Sequence, residues 1–183
     1  MSNLSDREIL RWIRQPARRQ QGYRHLVARY QEPLYRHVRR LLISHPDTDD
    51  VLQNTFVQAF RHMDRFREDA SLGTWLYRIA TNEALGFLRR KKRQREWPEE
   101  SIELARQLRA DPYFDGDETQ VALHVAIAGL PDKQRVVFTL RYFEEMPYAT
   151  MAVVLDTSEG ALKASYHHAQ KKIEHQLRQS LML

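Results

Sequence analysis

Apolar residues in this chain recur at steps of three and four over most of its length, and no stretch shows the period-two alternation of a half-buried strand with hairpin turns. A chain patterned this way buries its apolar surface by packing helix on helix, so an all-α fold is expected. Tyr23, Leu26, Val27, Tyr30, Leu34, Val38 and Leu41 form the first stripe, with a kink or restart expected at Pro33. After His45-Pro46-Asp47 a second helix is expected from near Asp49, carrying Val51, Leu52, Thr55, Phe56, Ala59 and Met63 on one side. Its first turn holds Asp47, Asp49 and Asp50, where carboxylates favour the positive end of the helix dipole. A polar segment, 67–73, leads to a third helix from Trp75 to about Arg90, with Thr74 as the expected N-cap.

The second half repeats the pattern. A helix from about Glu118 to Ala128 is stopped by Gly129-Leu130-Pro131, and Asp132 is expected to cap the next, which carries Val136, Val137, Leu140 and Phe143. Pro147 suits the first turn of a short helix, Tyr148 to Leu155. The turn Asp156-Thr157-Ser158 follows, and Ser158 can cap a long final helix with Leu162, Tyr166, Ala169, Ile173 and Leu177 inside.

Charge divides the chain more sharply than hydropathy does. Residues 1–95 hold 20 basic and 10 acidic side chains, residues 96–118 hold two and eight, and residues 119–183 hold seven and six. Two small helical domains, 1–95 and 119–183, joined by a flexible acidic linker with one helical turn around Ile102 to Leu108, are therefore expected. Clustered Lys and Arg in the first domain suit a polyanion, because phosphates release condensed counterions to such a surface; a merely solvated basic face has the same composition. The absence of Cys excludes a disulfide scaffold, a thiolate zinc site and a cysteine nucleophile, and suits a reducing cytosol. The N-terminal sequence holds no apolar run of signal-peptide length and no window approaches a membrane span, so a cytoplasmic protein with no membrane insertion of its own is expected.

Residues 147 to about 178 read as a helix-turn-helix, whose second helix fits the DNA major groove. Ser158, Lys163, Ser165, His167, His168 and Lys171 lie at or beyond its start, and the two histidines would read DNA as neutral hydrogen-bonding groups near pH 7. They are adjacent on a helix and point apart, so no metal site is expected there. In the third helix of the first half, Arg78, Asn82 and Glu83 share a face ahead of the basic tail Arg89, Arg90, Lys91. Trp75, Tyr77 and Phe87 place aromatic surface beside that charge, the combination that binds unstacked bases and backbone together, while core packing competes for Trp75.

Three ordered segments carry a family resemblance: DDVLQNTFVQAF, LGTWLYRIATNEALGFLRR and LPDKQRVVFTLRYFEEMPYATMAVVLDTSEGALKASYHHAQKKI. Together they resemble the extracytoplasmic-function class of bacterial RNA polymerase sigma factors, over roughly residues 20–178. The resemblance implies two domains bound to the clamp helices and flap of core polymerase, one opening the promoter minus-ten element and the other reading the minus-thirty-five element. It places polymerase contacts at Asp49, Asp50, Gln53 and Asn54, with Asn54 where the family usually has glutamate. It places a pocket for a flipped base along Phe66 to Gly73, including Ser71, and a minus-ten contact at Asn82. Thr81 and Gly86 stand where the family often has Arg and Asp, and Ala164-Ser165 replaces its usual Ser-Arg. It further implies an anti-sigma partner, which members of the class frequently have, no obligate homo-oligomer, no cofactor and no catalytic residues. A helix-turn-helix regulator acting without polymerase is the alternative; a nuclease built on Asp47, Asp49 and Asp50 is disfavoured, because those carboxylates do not converge.

Overall fold

The computed structural model describes residues 4–94, 101–112 and 114–181, and among them no strand occurs. The helices are α1 (Asp6–Arg14), α2 (Arg19–Leu42), α3 (His45–His62), α4 (Leu72–Arg93), α5 (Ser101–Ala110), α6 (Glu118–Ala128), α7 (Asp132–Tyr142), α8 (Tyr148–Leu155) and α9 (Glu159–Leu181). None is long and apolar enough to cross a membrane.

Helix α1 has no counterpart in the sequence-based expectation. A capping box starts it: Glu8 N–H donates to Ser5 Oγ at 3.4 Å, and Ser5 N–H donates to the Glu8 carboxylate at 2.7 Å. Ile9, Leu10 and Ile13 are buried on α2. The crossing is close because Gly22 stands at it. A Cβ there would lie 2.7 Å from Ile13 Cγ1 and 2.8 Å from the Ile13 backbone nitrogen. Gly22→Ala, a favourable change in an open helix, is therefore expected to cost about 2 kcal/mol and to lower Tm by about 4–8 °C in a thermal melt.

Several element boundaries differ from expectation for local reasons. Helix α3 starts at His45, because Ser44 Oγ accepts from Asp47 N–H at 3.4 Å and Pro46 suits the first turn. Ser71, not Thr74, caps α4, with Thr74 N–H donating to Ser71 Oγ at 3.0 Å. Pro131 occupies the N-cap position of α7 and Asp132 is its first residue. Helix α2 runs through Pro33 unbroken. Burial of Leu26, Leu34, Val38 and Leu41 on one face offsets the roughly 3 kcal/mol that an internal proline costs.

The acidic connector holds a ten-residue helix, α5, rather than one turn. Leu104 and Leu108 are buried with Ile43, Val121, Val125 and Ala128, and Asp111 accepts from Arg39 of α2. The two ends of the chain meet in one continuous core. Val136, Val137, Leu140, Met151, Val154 and Leu162 are buried in the same apolar cluster as Leu34, Leu76, Ala80 and Leu88. A smaller cluster of Ile127, Leu130, Phe138, Ala169 and Ile173 holds α6, α7 and α9 to each other.

Candidate nucleic-acid interface

The chain leaves α3 through a 3-10 turn, Met63–Arg65, and Phe66 folds back against Trp75 with ring centroids 5.0 Å apart. The two rings wall a pocket of about 230 Å³, with Arg65, Arg67 and Arg78 on its rim. Phe66 is buried and Trp75 half-buried, so the core fixes the first ring and leaves the second the more accessible of the two. The Ser71 hydroxyl is committed to the cap of α4 and to Thr74 Oγ1 at 2.8 Å, which sets the first turn of that helix beside the pocket. A flat aromatic wall with a cationic rim can stack a base and hold its phosphates.

One turn beyond Arg78, Asn82 is also exposed, and Glu83 is half-buried. Arg89 and Arg90 are exposed farther along. Arg90 and Lys91 each lie 5.6 Å from the Phe87 ring, so Phe87 seats cations; the Lys91 ammonium also lies 3.4 Å from Asp47. Tyr77 departs from the expectation of a base-stacking surface. Its hydroxyl donates to Glu144 at 2.8 Å and its ring lies 5.2 Å from that of His37. Burial, and then the Glu144 charge, push its pKa well above the ordinary tyrosine value.

The helix-turn-helix is formed by α8, a turn through Asp156 in the left-handed region at φ 50°, and α9. Ser158 Oγ accepts from Ala161 N–H at 3.3 Å, as a cap should. Lys163, His167, His168 and Lys171 are exposed along α9. Lys163 lies 3.8 Å from Glu159 and 5.6 Å from the Tyr148 ring, and the two histidine rings are 6.2 Å apart at 53°. Ser165 is half-buried and turned elsewhere: with Asn82, Lys133 and Asp156 it lines a cavity of about 370 Å³ between α4 and the helix-turn-helix.

Asp49, Asp50, Gln53 and Asn54 are all exposed on α3. Asp49 lies 3.3 Å from the His45 ring nitrogen. Asp50, Gln53 and Asn54 continue on one face to Val57, an apolar side chain left 38% exposed. Val57 was missed, although an apolar residue interrupting a polar face at helical spacing signals it. Arg65 was also missed, since only the fold-back of Phe66 shows that it joins Arg67 at the rim of the pocket.

Residues 26–94 match the family model Sigma-70 region 2, and residues 120–173 match Sigma-70, region 4. The chain is 28% identical over 169 residues to the ECF RNA polymerase sigma factor SigW of Bacillus subtilis, covering 87% of this chain and 90% of that one. It is 29% identical over 159 residues to the RNA polymerase sigma-H factor of Pseudomonas aeruginosa, covering 81% and 82%. Among solved structures it resembles CnrH in complex with the cytosolic domain of CnrY, with TM-score 0.69 and 26% identity over 94% of this chain and 97% of that one. Two ordered matches on the two helical units that carry the basic pocket and the helix-turn-helix leave one assignment. The chain belongs to the sigma-70 family, in the extracytoplasmic-function class of sigma factors that give RNA polymerase its promoter specificity.

Proposed function

We propose that residues 1–95 dock on the polymerase clamp helices and melt the minus-ten element, that residues 119–183 dock on the flap and read the minus-thirty-five element, and that 96–118 connect them. The observation that carries this reading is the Phe66–Trp75 pocket with its arginine rim, one helical turn from exposed Asn82. Extruding a base costs a few kcal/mol of stacking, and a ring wall returns about 1–3 kcal/mol per base, so a fixed pocket lets melting proceed once polymerase holds the duplex. Asn82 reads an edge of the strand, Glu83 orients α4, and Arg78, Arg89, Arg90 and Lys91 follow its backbone. In α9, Lys163 and Lys171 contact phosphates, Ser158 fixes the helix start, and Ser165, His167 and His168 face base edges once the domain swings onto duplex. Asp49, Asp50, Gln53 and Asn54, with Val57 beside them, form the clamp contact.

The factor performs no chemistry of its own and works in the cytoplasm, where polymerase is. Its structural neighbours include a sigma factor bound to the anti-sigma factor NepR from Bartonella quintana, and we extend to this chain the expectation of an anti-sigma partner. Run-off transcription with core polymerase across a promoter library tests the assignment. A promoter-dependent transcript is expected, with Asn82→Ala lowering open-complex formation about tenfold or more, the 1–3 kcal/mol of a base contact. Lys163→Ala should weaken binding and its salt dependence without changing the preferred sequence. No transcript from any template, or tight specific duplex binding by the protein alone, would favour the polymerase-independent regulator instead.

A further inference from the structure

We propose that a cleft between α2, the connector and α6 is a binding site for a nucleoside diphosphate, separate from the Phe66–Trp75 pocket and from the helix-turn-helix. The cleft has a volume of about 240 Å³, and Tyr35, Arg36, Arg39, Arg40, Phe114 and His124 line it. It admits a base with its phosphates but not a helix, which is about 10–12 Å across. None of these six side chains belongs to the strand pocket, the clamp face or the recognition helix.

One wall of the cleft is cationic. Arg36, Arg39 and Arg40 stand at i, i+3 and i+4 on α2 and so share a face of that helix. They meet the carboxylates of Glu32, Asp111 and Glu144 respectively, each through one terminal nitrogen. Those carboxylates lie outside the wall: among the described residues, no Asp or Glu lines the cleft. A guanidinium carries five N–H donors in a fixed fork, so donors remain for a second anion. The side chains of Arg39 and Arg40 are only 14% and 23% exposed, which holds their forks in place before a ligand arrives. Three such groups on about one helical turn match the charge and length of a diphosphate, whereas a single phosphate would engage only part of the set.

The facing wall is aromatic. Phe114 and His124 stand at 90° with ring centroids 5.4 Å apart, a corner in which a base can stack on one ring and hydrogen-bond to the other. A Cβ at Gly116 would strike the Phe114 ring, so the absence of a side chain there lets that ring sit where it does. Burial first, and then the Arg40 and Arg39 charges, lower the His124 pKa to about 4 and keep the ring neutral at pH 7. The same two charges that repel a proton from His124 attract a phosphate.

Titration calorimetry on the full-length protein at fixed ionic strength reads the site. ADP is expected to fill one site, with adenosine and inorganic pyrophosphate each weaker by about tenfold or more, since either alone uses one wall. Arg36 is exposed and pairs with exposed Glu32, so Arg36→Ala should leave the melting temperature in place while weakening ADP and pyrophosphate about tenfold. Phe114→Leu should weaken ADP and adenosine and leave pyrophosphate unchanged. In NMR spectra ADP should move the His124 ring signals, assigned through His124→Gln, and leave the Trp75 indole signal still. Absence of ADP binding overturns the proposal. So does pyrophosphate binding as tight as that of ADP, which would mark a basic face that takes any anion. A nucleotide that ignores either variant, or that moves the Trp75 signal and not those of His124, binds in the strand pocket or elsewhere and overturns the site as well.

Discussion

Acidification from pH 7 to pH 4.5 should destabilise the fold by about 5 kcal/mol through two histidines, one buried and one half-buried. His37 is fully buried, with Nε2 2.9 Å from Thr81 Oγ1. Burial first, and the Arg40 charge second, lower its pKa to about 3. His124 on α6 lies between the rings of Phe114 and Phe143, at 5.4 and 6.3 Å. Burial, then Arg40 and Arg39, lower its pKa to about 4. Both rings are neutral in the folded state, whereas in the unfolded chain they take up a proton near pH 6.5. The unfolded state therefore binds more protons as pH falls. Stability is intact above about 6.5 and is lost progressively down to the folded values near 3 and 4. Against a total of about 5–15 kcal/mol this is enough to unfold a marginal domain. Urea denaturation followed by circular dichroism at pH 7.5, 6.0 and 4.5 reads it directly. A midpoint that does not move between pH 7 and 5 would show that these rings are hydrated or already charged. Because His37 touches Tyr77 and His124 faces Arg40, the loss should come first where the two halves meet.

The second large effect is expected from Arg135→Ala, at about 3–5 kcal/mol of lost stability. Arg135 is 1% exposed. Its guanidinium donates to Leu41 O at 3.1 Å, to Leu130 O at 3.3 Å and to Ala128 O. Leu41 and Ala128 lie in the last turns of α2 and α6, where carbonyls have no partner within their own helix. One side chain thus satisfies two helix ends from opposite halves of the chain. Burial lowers its pKa to about 10, with Asp132 at 3.9 Å opposing the shift, so it stays protonated at neutral pH. Truncation would leave these carbonyls buried around a void. Arg135→Lys should recover only part of the loss, because one ammonium cannot span three acceptors set by a planar fork. The check is the urea midpoint of the parent protein and the two variants. Equal midpoints for the parent and Arg135→Ala would mean that water reaches the carbonyls.

The helices and their order followed from residue pattern alone, because a helix is decided by neighbours three and four positions apart and by the residue that caps it. The stripes of α3, α4 and α9, the stop at Gly129-Leu130-Pro131 and the cap at Ser158 are all of this kind. The segments proposed to form the pocket, the clamp contact and the recognition helix were picked out by their resemblance to ordered family motifs, each of which lies within one short stretch of chain. Failures came where the local signal was short or ambiguous. Helix α1 spans only nine residues, and the choice between Ser71 and Thr74 as cap depends on which hydroxyl meets the free amides.

What the sequence could not decide is everything that joins segments far apart in the chain. Tyr77 looks like a platform for bases until Glu144 is found beneath its hydroxyl. Arg135 looks like a surface cation until two helix ends close over it. Val153 carries no sign of a site until the packing of α8 on α4 sets it beside Phe66 and Trp75. Burial and shifted pKa values arise only when separate elements remove water from each other. Residue pattern fixes the helices and the chemistry they display; tertiary packing determines which of that chemistry remains open to DNA.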